Sequence, residues 1–300
     1  MLRRVIAFAR LARPAFLAGG FTGFALGAAV AHADGHAIDW HAYVLGQLLV
    51  TSFHLMVHFA NDYYDQDTDA ITVRTAWSGG SGVLPNGELP ASVALIAALA
   101  CAAAGVVLTI AEAAMGNLTL AVLGMVIGFL GWSYSAPPMR LLARGLGEID
   151  TIAVVAVLVP LAGYATFATP LGPHAVLATL PGACAMFAMM LTVEIPDVTA
   201  DAATGKRNLV VRWGAARAVL VARVLAATAV VALIAVGALA FAALPIVLVA
   251  AVPVAVIAAA YAAVERLRAL PLISPELLGV GLYAVTTCAA LAIVIAGNLG

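Results

Sequence analysis

The chain has 300 residues, of which 64% are hydrophobic and only 10% charged, with a formal net charge of −1. Soluble domains carry about a quarter charged residues, so this composition excludes an ordinary soluble protein. Strand-like alternation is missing, which also excludes a transmembrane β-barrel.

A spanning helix needs roughly 20 apolar residues. On that criterion the chain reads as all-α, a polytopic membrane protein of about nine transmembrane helices near 14–33, 42–61, 91–111, 116–135, 149–169, 175–195, 217–240, 245–264 and 277–298. The opening stretch carries Arg3, Arg4, Arg10 and Arg13 and an A-x-A pattern at 31–33. Its apolar run is too long for the core of a cleaved leader, so it is read as the first span.

The second span ends in "HFANDYYDQDTD", residues 58–69, with Asp62, Asp65, Asp67 and Asp69. Residues four apart share one helix face, so Asn61, Asp65 and Asp69 form a row with steps of roughly 6 Å. His54 and His58 stand in the same helix at i and i+4. They are expected to hydrogen-bond within the bundle and line a cavity wall, with Asp62 beside them; acceptor contact or proton transfer is the alternative. The "GGSG" at 79–82 has neither the preceding strand nor the lysine of a phosphate loop, and is expected to be a flexible cap.

Arg140 and Arg144 follow the fourth span. The sixth span ends in "LTVEIPDVTADAATGKRN", where Glu194, Asp197 and Asp201 form a second acidic row. Pro196 disfavours helix at the residue before it, so a kink or restart is expected there. Lys206 and Arg207 come next. Cys101, Cys184 and Cys288 fall in different spans without ligand spacing, and are read as packing residues. Asn117-Leu-Thr119, at the start of the fourth span, is read as a chance match to the glycosylation pattern.

The charges test this layout. With nine spans all 14 basic residues fall on one face, Arg266 and Arg268 included, while the other face holds only Asp34, Asp39 and Glu112. The positive-inside rule makes the basic face cytoplasmic. The expected location is a cell inner membrane, with the N-terminus and the acidic rows at the cytoplasmic side and one domain spanning 1–300.

Carboxylates packed this closely repel one another, and something positive should lie between them. Oxygen ligands without Cys or His at ligand spacing point to Mg²⁺, which typically uses one or two carboxylates plus substrate phosphates. With nearby basic residues this makes a phosphate or diphosphate site.

"NDYYDQDTD" matches the NxxxDxxxD pattern of the UbiA superfamily of intramembrane prenyltransferases, and "DVTAD" its second DxxxD pattern. "YSAPPMRLLARGLGE" (134–148) and "GKRNLVVRWG" (205–214) resemble the segments after the fourth span and after the second motif. "WSGGSGVLPNGELP" (77–90) resembles the loop of the 1,4-dihydroxy-2-naphthoate prenyltransferase branch. The "EIPD" form instead resembles members closer to homogentisate and chlorophyll-type enzymes.

The resemblance implies nine helices around a central cavity open laterally to the lipid bilayer. It implies Mg²⁺-dependent transfer of an isoprenyl group from a prenyl diphosphate to an aromatic acceptor, as in menaquinone or other prenylquinone biosynthesis, with no nucleic acid involved. Carried over, Asn61, Asp65 and Asp69 hold one Mg²⁺ or its waters, and Asp197 and Asp201 the other. Arg140, Lys206 and Arg207 contact the diphosphate, Tyr134 helps stabilise the allylic cation, and Glu194 lies on the cavity. Two alternatives are terpene cyclisation on the same scaffold and an ion-coupled transporter.

Overall fold

The computed structural model describes residues 1–263 and 274–299. Arg266 and Arg268 lie outside the described residues. Among those described the secondary structure is helical, and nine segments are long and apolar enough to cross a membrane. The protein is a multi-pass integral membrane protein.

A short helix, α1 (Leu2–Leu11), precedes the first span. It buries Ala7 and Leu11 against Phe59, Ala60, Val83 and Leu89, and exposes Leu2, Val5 and Ile6. The chain then turns through Arg13 in the left-handed region (φ 45°). Pro14 begins α2 (Pro14–Ala33), the position where its missing N–H costs nothing. Helix α3 (Trp40–Asp69) is capped by Asp39, whose carboxylate accepts from the amides of His41 at 2.7 Å and Ala42 at 3.1 Å. It outruns the expected boundary at 61, because a helix satisfies its own backbone after it leaves the apolar region.

Next come α4 (Ala91–Ala114) and α5 (Leu118–Ser135). Asn117 caps α5 through the amide of Leu120 at 3.1 Å and donates to the carbonyl of Ala165 at 3.0 Å, a structural role for that residue. The fifth span is composite: α6 (Gly147–Thr151), a π-helical stretch over Ile152–Leu158, then α7 (Val159–Ala165). Pro160 cannot donate backward along the helix, so the turn widens just before it. The sixth span is α8 (Pro173–Leu177) followed by α9 (Leu180–Val193). After Pro196 the chain restarts as α10 (Val198–Ala203), as the proline predicts. Helices α11 (Leu209–Trp213), α12 (Ala215–Ala240), α13 (Leu244–Ala262) and α14 (Pro275–Gly297) complete the bundle.

Lipid tails are as apolar as leucine, so these helices associate by close packing more than by transfer from water. Helices α2 and α7 meet at glycines. A Cβ on Gly27 would strike the Pro160 carbonyl, and one on Gly163 would strike the Phe24 carbonyl. Ile96, Val107, Ile110, Val122, Phe129 and Val249 stay exposed on α4, α5 and α13, where hydrocarbon would cover them. At the end of the bundle away from the acidic rows, Asp34 is fully matched. Tyr164 donates to it at 2.9 Å, and His174 Nδ1 lies 2.6 Å away.

Candidate active site

A cavity of about 540 Å³ enters the bundle between the two acidic rows. Asn61, Asp65 and Asp69 line it from α3, and Asp197, Asp201 and Lys206 from the segment after α9. Lys206 joins the rows: its Nζ lies 3.2 Å from Asp65 and 3.2 Å from Asp201. Thr68 and Thr204 make a second tie at 2.9 Å. The two rows therefore face each other across one ammonium group.

Each row is oriented by its own partners. Asn61 Nδ2 donates to Asp65 at 2.6 Å and to Ser135 at 3.1 Å. Asn208 donates to Asp201 at 2.7 Å. The Gly79 amide donates to Asp197 at 3.3 Å, while the other Asp197 oxygen is buried without a partner. Burial holds Asp197 and Asp201 above the usual carboxylate range, and they also repel each other. Burial works to lower the Lys206 pKa, but Asp65 and Asp201 outweigh it and raise it. The second row is thus poised to gain from a cation that its own neighbours supply only through Lys206.

The 70–90 loop roofs the cavity. Trp77 to Ser81 line the cavity. Gly80, at φ +66°, sits where a Cβ would collide with the Asp69 carboxylate. Ser81 donates to Asp62 through its hydroxyl, and its carbonyl accepts from Arg10 at 3.1 Å.

The structure also places residues differently from expectation. Asp62 is not on the cavity wall; it is 2% exposed and takes both Arg13 and Ser81 as partners. Arg140 and Arg207 are exposed and outside the cavity lining. Arg140 sits in a tight turn at φ 45°, and the Arg207 amide is tied to the Ala143 carbonyl at 2.9 Å. The basic lining comes from Lys206 together with Arg10, Arg13 and Arg74. In the sequence these arginines looked like topology signals only. Arg13 packs between Asn61, at 3.1 Å, and Asp62. His54, His58, Tyr134 and Glu194 do line the cavity. His58 Nδ1 lies 2.7 Å from the Ala12 carbonyl, a bond within the bundle. Below the polar rim the wall is apolar, with Phe16, Phe53, Met186, Met189 and Tyr283.

Among the described residues no three His, Cys, Asp or Glu side chains are grouped so as to hold a metal ion alone. What the rim offers is paired hard oxygen donors, one of them an unmatched buried Asp197 oxygen. That set fits Mg²⁺, whose shell is usually completed by water and substrate phosphate.

A polytopic helical bundle with a polar-rimmed, apolar-walled internal cavity can hold a molecule that is polar at one end and apolar at the other. The chain belongs to the UbiA prenyltransferase family, a family of transferases: residues 21–270 match it. A UbiA homologue from Archaeoglobus fulgidus bound to GPP and Mg²⁺ superposes with a TM-score of 0.68 at 20% identity, covering 98% of this chain and 100% of that one. The homologue bound to DMAPP and Mg²⁺ gives 0.67 at 19% identity, with 96% and 97% coverage. A UbiA homologue from Aeropyrum pernix K1 gives 0.64 at 18% identity, with 93% and 97% coverage. No curated protein matches by sequence.

Proposed function

We propose that this protein transfers an isoprenyl group from its diphosphate to an aromatic acceptor, with 1,4-dihydroxy-2-naphthoate in menaquinone or related prenylquinone synthesis as the leading candidate. The observation that carries the reading is the pairing of the two acidic rows across Lys206, at the mouth of an apolar cavity. The acceptor assignment rests on the 77–90 loop and its likeness to the naphthoate branch. The A. fulgidus homologue's GPP and Mg²⁺ support the donor class.

Asn61, Asp65 and Asp69 would hold one Mg²⁺, directly or through water, and Asp197 and Asp201 another. Bound there, the metal supplies Lewis-acid neutralisation of a diphosphate leaving group. The chain's own residues do the rest. Lys206, Arg13 and Arg74 offer positive charge to the diphosphate at the rim. The 77–81 roof and the apolar wall exclude water from an allylic cation. Tyr134 presents an aromatic ring to the cavity, a group suited to stabilising positive charge. The donor's tail gains roughly 0.8 kcal/mol per CH₂ buried in an apolar phase. A polar rim over a greasy cavity therefore suits both ends of the molecule.

The basic residues cluster at the end of the acidic rows, which supports a cytoplasmic rim in a cell inner membrane. One shared cavity supports a single functional domain. The purified protein, given a prenyl diphosphate and Mg²⁺, should release diphosphate only when 1,4-dihydroxy-2-naphthoate or a related phenol is added. Cyclic hydrocarbon formed without acceptor would replace this reading with terpene cyclisation.

A further inference from the structure

We infer that Asp150, on the cavity wall near Tyr134, receives a hydroxyl hydrogen of the acceptor and selects one that presents an uncharged hydroxyl group there. The inference rests on the prenyl-transfer reading and narrows its second substrate.

Asp150 stands in the first turn of the fifth span, and Glu194 caps α9. Both line the cavity. Asp150 is 7% exposed and Glu194 6%. Asp150 Oδ1 has no hydrogen-bond partner, whereas the Glu194 carboxyl is set against that of Glu148. The nearby cations are engaged elsewhere: Lys206 on Asp65 and Asp201, Arg13 on Asp62, Arg10 on Glu88. Glu194, Asp65, Glu148 and Asp150 all lie near Tyr134. Glu148 itself is fully buried, with one oxygen taken by the Leu209 amide at 2.5 Å.

Buried carboxyl oxygens left unmatched are costly, so a bound ligand should supply what the protein does not. A prenyl tail has no donor, and a diphosphate is an anion that carries no proton to give and is drawn to the basic residues of the rim. A divalent cation finds paired oxygen donors in the acidic rows, whereas Asp150 offers it one free oxygen. The remaining donor is a hydroxyl on the acceptor. An acceptor carboxylate, where present, belongs at the basic rim and not at this wall.

The test uses the full chain in lipid nanodiscs with a prenyl diphosphate and Mg²⁺. It compares 1,4-dihydroxynaphthalene as substrate with its dimethyl ether as competitive inhibitor. The wild type should bind the diol at least about tenfold more tightly than the ether, the range of a hydrogen bond to a charged group. Asp150→Asn should raise the KM of the diol about tenfold or more and leave the KM of the prenyl diphosphate within about twofold. Equal binding of diol and ether by the wild type overturns the inference, and needs no variant to fold. So does an unchanged diol KM in Asp150→Asn. If the wild type releases no diphosphate with any phenol, the transfer reading fails first, a result separate from an active enzyme that ignores the hydroxyls.

Discussion

The two ends of the bundle treat buried acid in opposite ways. At one end Asp34 is matched on both oxygens, by Tyr164 and by His174. At the other, Asp197 and Asp150 each keep an oxygen with no partner, and one ammonium serves both Asp65 and Asp201. Where polar groups saturate one another they tie the fold together, here α2 to the fifth and sixth spans. Where they are left short, stability has been given up for a ligand. The contrast separates a structural carboxylate from a functional one without reference to any motif.

The strongest way to break this contrast is to neutralise the unmatched end. Asp65→Asn and Asp197→Asn should each lower turnover by a factor on the order of 10²–10³, the effect of removing one preorganised electrostatic group, with membrane insertion unchanged. Turnover assays beside a thermal-shift measurement would check this, and near-normal rates in either variant would remove the acidic rows from the mechanism. A middle-sized effect should come from Pro196→Ala. It lets α9 run on toward α10 and moves the second row, while the first row, on the unbroken α3, stays in place. A displacement near 1 Å can cost about a hundredfold, so a fall of roughly tenfold in kcat is expected from steady-state kinetics. The smallest effects sharpen the comparison from the other side. Asp34→Asn should cost about 1 kcal/mol of stability with turnover within about twofold. Arg140→Ala, at an exposed site, should change neither KM for the prenyl diphosphate nor kcat beyond that margin. A tenfold rise in that KM would return Arg140 to the diphosphate site.

Much of the layout was legible because its causes are local. Apolar runs of about 20 residues must become helices in lipid, whatever their neighbours. Carboxylates at i and i+4 must share a face, and Pro196 must interrupt its helix. The surprises came from contacts between distant segments. Arg13 and Arg74 looked like topology charges, yet they line the cavity. Arg140 and Arg207 stood beside the motifs in the chain, yet they lie at the surface. No pattern in the sequence marked Asp150 as a cavity residue. The 79–82 stretch reads as a cap in the sequence, and only the structure shows that its bonds go to Asp62 and Asp197.

By itself the amino-acid order determined the number of crossings, the face that holds the basic charge, and the two acidic rows, because helix period and the cost of burying charge act over a few residues. Only the tertiary structure decided which cations enter the cavity, that Lys206 joins the rows, and which carboxylates are left wanting a partner. Those outcomes depend on distances between side chains that lie 70 or more positions apart, as Asn61 and Ser135 do, and no local rule sets such distances.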